Sequence, residues 1–257
     1  MSGGARVPAQ GWRKSAPWVV AVTAWGLFSL PLTAVCIILG GPFLGAKRSF
    51  WTFGPMWART IFRLCRVDFR ITGWAELPED IRTQRRSVVF MANHESNLDP
   101  PVLIGTLPIP AVFLAKKELK WMVPISWAAM MAGTIFIDRR NRERAFHSLT
   151  QAANEIRAGK SVVIFPEGTR TRNGSLNTFK KGGFSLAREA GVPIVPLAAV
   201  GGYEMLPAGK VLIRPGRYAI AFGEPVDPGA FATREALMQE VRIRIEALCK
   251  QARQPEG

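Results

Sequence analysis

Two histidines occur in this 257-residue chain, and one of them, His94, stands where chemistry is easiest to place. The segment Asn93-His94-Glu95-Ser96-Asn97-Leu98-Asp99-Pro100-Pro101 follows the apolar run Ser87-Val88-Val89-Phe90, which predicts a buried strand. A histidine delivered from a strand end, with a carboxylate a few residues on, is the material of a general base and its orienting partner. Inside one helix a spacing of five would set the side chains ~140° apart. The pair can therefore meet only if the chain doubles back between strand and helix. Asp99 has a structural alternative as the N-cap ahead of Pro100 and Pro101. Both roles can hold together, one oxygen serving the backbone and the other the imidazole. On spacing alone, His94 reads equally well as a satisfied structural histidine. His147 lies inside an amphipathic pattern with no acid partner in a loop and reads as a surface or packing residue.

Two further predicted strand ends deliver polar groups. Thr134–Ile137 leads to Asp138-Arg139, and Ser161–Phe165 leads to Glu167-Gly168-Thr169-Arg170. In α/β sheets, sites gather beyond the strand carboxyl ends. The planar guanidinium fork of Arg139 and Arg170 suits phosphate oxygens, although a solvated loop-tip charge is the ordinary role of arginine in a basic protein. Lys180 and Lys181 fit either use. Other chemistries fall away. His94-Glu95-x-x-Leu98 lacks the second histidine of a zinc HExxH site, and no GxSxG elbow or phosphate-binding GxxxxGK[ST] loop is present. Cys36, Cys65 and Cys249 are scattered, with no CxxC, which indicates neither a zinc cage nor a redox pair. A catalytic His94 would then activate a substrate hydroxyl rather than a protein nucleophile.

The elements that must position these groups alternate along the chain. Strands are predicted at 68–73, 87–91, 111–115, 134–137, 161–165 and 194–200, with helices from Pro100, over 121–131, over 142–158 and over 183–189, and a last amphipathic helix carrying Leu237, Val241 and Ile245. Val211–Arg214 and Tyr218–Phe222 read as an added β pair. This order predicts an α/β fold with a central, mostly parallel or mixed sheet flanked by helices. The domain plan is a basic tail over 1–14, a membrane anchor and interfacial helix over 15–66, a main domain over 67–250 and a tail over 251–257. From Ser15 to Ala46 there is no charged side chain, a run longer than the ~20 residues that cross a bilayer. A single tilted span and a re-entrant pair broken near Pro31 both fit, and a cleaved signal peptide fits least. Residues 50–66 set Trp51, Phe53, Trp57 and Phe62 among arginines, as an interfacial helix does. Lys47, Arg48, Arg59, Arg63, Arg66 and Arg70 follow the run and place the main domain on the cytoplasmic side. The balance of 34 Lys+Arg against 19 Asp+Glu, +15 overall, with 48% apolar residues, favours an anionic lipid surface. Nucleic acid is disfavoured, since no recognised binding motif accompanies the charge.

Taken together, these residues strongly resemble the glycerolipid acyltransferase family, specifically its bacterial 1-acylglycerol-3-phosphate acyltransferases. The hallmark N-H-x4-D matches Asn93-His94 to Asp99. A second block resembles Lys116-x-Glu118-Leu119, Pro124, Gly133 and Phe136-Ile137-Asp138-Arg139. A third is Phe165-Pro166-Glu167-Gly168-Thr169-Arg170, and a fourth Val192-Pro193-Ile194-Val195-Pro196-Leu197. All four occur in order over about 67–225; Ser126-Trp127 departs from the Gly-Trp of many members. The resemblance implies that His94 is the general base, oriented by Asp99, for acyl transfer from an acyl thioester to the sn-2 hydroxyl of lysophosphatidic acid. It implies acceptor-phosphate binding at Arg139, Glu167, Gly168, Thr169 and Arg170, with Lys116 joining them. The co-substrate would be acyl-CoA or acyl-carrier protein, with no metal and no bound cofactor. The expected setting is the cytoplasmic face of the inner membrane. Acylation of another acceptor (glycerol 3-phosphate, a lyso-aminolipid, another lysophospholipid) and non-catalytic binding of anionic lipid are the alternatives.

Overall fold

The computed structural model describes residues 45–254 apart from 122–124, 139–141 and 211, together with Val20, Ala24, Gly26, Ser29, Val35 and Leu39. Seven strands form one sheet: β1 (Val67–Thr72), β2 (Val89–Ala92), β3 (Ala111–Lys116), β4 (Ile135–Ile137), β5 (Ser161–Ile164), β6 (Ile194–Val200) and β7 (Gly216–Phe222). Their order across the sheet is β1-β7-β6-β2-β5-β3-β4. Every neighbouring pair is parallel except β6 with β7. Among the described residues from 45 on, the α-helices are α1 (Ala46–Leu64), α2 (Glu79–Arg82), α3 (Asp99–Thr106), α4 (Ile125–Met131), α5 (Arg142–Arg157), α6 (Lys181–Ala190), α7 (Gly202–Met205) and α8 (Arg234–Arg253). The expected α/β fold with a mixed central sheet is what forms.

Both faces of the sheet are covered, and β2 shows why. Its side chains alternate between the faces. Phe90 and Ala92 join one apolar cluster with Ile61 and Phe62 of α1 and Val102 and Leu103 of α3. Val89 and Met91 join the other, with Ala153 and Ile156 of α5, Phe184 of α6 and Val241 and Ile245 of α8. A strand buried on both faces needs apolar residues at every position, which is how Val88–Ala92 reads.

The structure departs from expectation at several places. Tyr218–Phe222 is no appendage: β7 lies between β1 and β6 inside the main sheet. Residues 212–214 take no strand conformation, and Val211 lies outside the described residues. Asp99 is the first residue of α3 rather than its cap; Leu98 holds the cap position and offers no side-chain bond. The apolar stripe of α1, with Phe50, Ala58, Ile61 and Phe62 buried, faces the protein core, and Gly105 of α3 leaves room for the Ala58 methyl. Arg48 and Arg63 stay exposed, and Arg59 donates its Nε–H to the Gly105 carbonyl of α3. The proposed membrane anchor falls almost wholly outside the described residues. Within them no helix is long and apolar enough to cross a membrane, so a spanning helix is not supported. Two anchor residues that are described dock on α1. The Trp57 indole N–H donates to Ser29 Oγ at 2.7 Å, and Gly26 leaves space for Ile61.

Candidate active site

The parallel register brings the carboxyl ends of β6, β2, β5, β3 and β4 to one edge of the sheet. At the central position β2 ends and the chain turns away. Asn93 makes that exit: its side-chain amide donates to the Ala199 carbonyl at 2.9 Å and accepts the Ala199 N–H at 2.7 Å. The amide side chain thus continues the β2–β6 ladder after the backbone has left it.

The turn folds Asp99 back onto His94. Nδ1 of His94 lies 2.7 Å from Asp99 Oδ2. That oxygen also accepts the N–H groups of Glu95 at 2.7 Å and Ser96 at 2.9 Å. Oδ1 accepts the Tyr218 hydroxyl at 2.6 Å. Asp99 is fully buried, and its partners are arranged as donors, as an ionised buried carboxylate requires. The contact fixes the tautomer: Nδ1 carries the hydrogen donated to Asp99, which leaves the Nε2 lone pair as the basic site. His94 remains 16% exposed at its side chain. Its ring stacks on Phe165, centroids 4.1 Å apart and planes 19° apart, which sets the ring's orientation. Tyr218 keeps its proton, because burial and the adjacent Asp99 push its ionisation well above the ordinary range.

Glu167 arrives from the end of β5. Its Oε1 accepts the His94 N–H and its Oε2 the Asn177 N–H, each at 2.7 Å. Both oxygens therefore face the protein frame, and burial raises its carboxyl above the usual range despite these two bonds. The Thr171 N–H donates to the His94 carbonyl at 2.8 Å, a second tie between the β2 and β5 loops. Gly168 has φ +69°, a left-handed turn that favours glycine. Thr169 is exposed and Arg170 half-buried on the same loop. Lys116 ends β3, exposed at the same sheet edge. Neither Lys116 nor Arg170 has an ion-pair partner among the described residues. Arg139 lies outside the described residues; its neighbour Asp138 bonds Lys117 at 3.2 Å. His147 is exposed. A cavity of ≈ 550 Å³ lined by Gly73, Leu77, Phe222, Arg244 and Leu248 lies beside the ends of β1 and β7 and has neither His94 nor Asp99 in its lining. The chemistry is assigned to the His94 edge because the convergent polar groups are there.

The family model described as Acyltransferase matches residues 70–200, about half of the chain, a span that includes His94, Asp99 and the Glu167–Arg170 loop but not Tyr218. The chain belongs to the Acyltransferase family. Among similar family proteins, a probable 1-acyl-sn-glycerol-3-phosphate acyltransferase of Mycoplasma pneumoniae is 35% identical over 188 residues, covering 66% of this chain and 68% of that one. The 1-acyl-sn-glycerol-3-phosphate acyltransferase of Saccharomyces cerevisiae is 28% identical over 182 residues, 70% of this chain and 57% of that one. The Borreliella burgdorferi protein of the same name is 34% identical over 134 residues, 52% of either chain. This chain thus spans little more than half the length of several curated relatives. A crystal structure of the 1-acyl-sn-glycerophosphate (LPA) acyltransferase PlsC from Thermotoga maritima superposes with a TM-score of 0.76 at 25% identity, covering 93% of this chain and 97% of that one.

In this Acyltransferase-family chain His94, Asp99 and Glu167 are joined by hydrogen bonds, with the Gly168–Arg170 loop following Glu167; Glu167, expected at the acceptor phosphate, instead turns both oxygens to backbone N–H groups. Sequence reading missed Tyr218, Glu95, Gly202 and Arg253. Gly202 is glycine for want of room: a Cβ there would lie 2.7 Å from Asp99 Oδ1 and 2.9 Å from the Ser96 Cβ. Arg253, assigned to a terminal tail, ends α8 and reaches Glu95 at 2.7 Å.

Proposed function

We propose that this protein transfers an acyl chain from an acyl thioester to the sn-2 hydroxyl of 1-acylglycerol 3-phosphate, forming phosphatidic acid. The observation that carries the reading is the His94–Asp99 contact, which leaves Nε2 as a base at the sheet edge of an Acyltransferase-family domain. Nε2 takes the hydroxyl proton as the oxygen attacks the thioester carbonyl carbon. A C–O bond forms and the carbonyl oxygen becomes a tetrahedral oxyanion, which calls for nearby donors. Collapse breaks the C–S bond, and the imidazolium returns its proton to the departing thiolate. Asp99 holds the imidazole and balances its transient charge. The sum is alcohol plus thioester giving ester plus thiol, a balance that needs no metal and no bound cofactor. Acyl-CoA or acyl-carrier protein supplies the thioester.

Arg170, Thr169, Gly168 and Lys116, with Arg139, receive the acceptor phosphate. Lys116 and Arg170, which have no ion-pair partner among the described residues, support that placement. Glu167 supports it indirectly, by holding the loop that carries Arg170. The protein works at an anionic membrane, on the cytoplasmic side of the inner membrane. Support comes from the uncharged 15–46 stretch, the net charge of +15, and large apolar side chains left in solvent at Trp121 (85% exposed), Trp127 and Met130.

The test is a substrate panel with purified full-length protein in detergent. Lysophosphatidic acid, glycerol 3-phosphate and a lyso-aminolipid are each offered with acyl-CoA and acyl-carrier protein of several chain lengths. Phosphatidic acid from lysophosphatidic acid supports the proposal. Turnover only with another acceptor, or none with any, overturns it.

A further inference from the structure

Glu95, the residue after His94, is buried to 3% exposure, and acyl transfer as written makes no use of it. Its Oε2 accepts the N–H groups of Gly201 at 3.0 Å and Tyr203 at 3.3 Å. Its Oε1 lies 2.7 Å from the guanidinium of Arg253, in the last turn of α8. The same guanidinium nitrogen donates to the Gly174 carbonyl at 3.1 Å, in the loop after β5. One carboxylate therefore gathers the turn after β6, the loop after β5 and the end of the C-terminal helix. The turn it holds is the one that closes on Asp99, since Gly202 has no room for a Cβ beside Asp99 Oδ1. The Glu95 backbone N–H itself bonds Asp99 Oδ2.

We propose that Glu95 is a positioning residue for the His94–Asp99 pair, with Arg253 as the counter-ion that keeps its carboxylate in the charged form the frame requires. The requirement follows from the bonding. Gly201 N–H, Tyr203 N–H and Arg253 all donate, so a neutral carboxyl brings an O–H that none of these groups can accept and weakens the charge-assisted bond to Arg253. The change slackens the Gly201–Tyr203 turn and with it the seat of Asp99. The groups that act on Glu95 are Arg253 and Cys249 from α8, Glu204 from α7, Asp99 from α3 and Tyr218 from β7. Burial pushes the Glu95 carboxyl up to about 7. Arg253 and the Tyr203 N–H oppose this, and Glu204 and Asp99 add to it. Glu95 thus places an ionisation near neutrality beside the His94–Asp99 pair.

The kinetic arm of the test rests on the acyl-transfer reading; the spectroscopic arm does not. Because the chain has two histidines, imidazole nitrogen resonances of the detergent-solubilised full chain can be assigned with His147→Gln. The His94 signals should show a step near pH 7 that is absent in Glu95→Gln and moved upward in Arg253→Ala. With lysophosphatidic acid and an acyl thioester, the acid limb of kcat/KM should fall with a limiting slope of two in the wild type and one in Glu95→Gln. At pH 8, kcat of Glu95→Gln should drop about tenfold, a part of what a positioned base contributes, while a single cooperative melt shows the variant folded. Arg253→Lys should recover more of the rate than Arg253→Ala. The same His94 titration and the same acid limb in wild type and Glu95→Gln would overturn the proposal. A wild type without turnover would defeat the reaction reading and leave the resonance comparison to decide this one.

Discussion

Asp99 is the residue on which the site turns, because four donors and no solvent share its two oxygens. Removing one donor is therefore costly. Tyr218→Phe leaves Oδ1 buried without its hydroxyl partner. We expect a loss of about 1–3 kcal/mol in urea unfolding and a slower turnover, whereas unchanged stability would mean that the hydroxyl is not bonded to Asp99. Gly202→Ala sets a methyl group against Asp99 Oδ1 and the Ser96 Cβ. Neither neighbour can retreat, since both belong to the bonded turn. Activity should fall at least about tenfold and the melting temperature should drop; wild-type activity would contradict the crowding. Of these residues, only His94 and Asp99 were legible in the sequence, because they share one short segment and their types announce acid–base chemistry. Tyr218 lies in an apolar strand that reads as core, and its partner is 119 positions away. Gly202 is one of 24 glycines, and nothing local marks it.

At the scale of elements, the periodic segments declared themselves and the exceptions have physical causes. β2, β3, β5 and β6 are apolar runs bounded by polar or glycine-containing loops, so their presence could be read directly. β7 was misplaced because alternation identifies a strand but not its neighbours, and pairing between β1 and β6 is a long-range choice. α1 was read as interfacial because aromatics among arginines look the same whether the apolar stripe meets lipid or a sheet. Here that stripe covers β1 and α3. The loop after β5 shows what an element can owe to one side chain. Glu167 accepts two backbone N–H groups with two oxygens. Glu167→Gln replaces one acceptor by an NH2 donor, so either His94 or Asn177 loses its partner. We expect a cost of about 1–3 kcal/mol and faster limited proteolysis across 168–180. An unaltered cleavage pattern would show the loop to be held by other contacts.

Across the whole molecule, the sheet arranges function along one edge. The proposed base, His94, follows β2, the groups that hold Asp99 and Asn93 come from β6 and β7, and the cationic groups lie at β5, β3 and, by sequence, β4. An acceptor with its phosphate near Arg170 and Lys116 would present its hydroxyl towards His94. Lys116→Ala with Arg170→Ala should accordingly raise KM for lysophosphatidic acid severalfold while leaving KM for the thioester unaltered. An unaltered acceptor KM would put the phosphate elsewhere. The fold class and the order of the family blocks were evident from the chain alone, whereas the Glu95–Arg253 closure of the site was not, because it joins residues 158 positions apart. The central claim is that His94 is the base for acylation of lysophosphatidic acid. Turnover of lysophosphatidic acid and acyl thioester by wild type and His94→Ala, purified identically and both shown to be folded, tests it most directly. The wild type should form phosphatidic acid and His94→Ala should lose at least about 10²–10⁴-fold in rate; a variant that retains most of the wild-type rate would contradict the account.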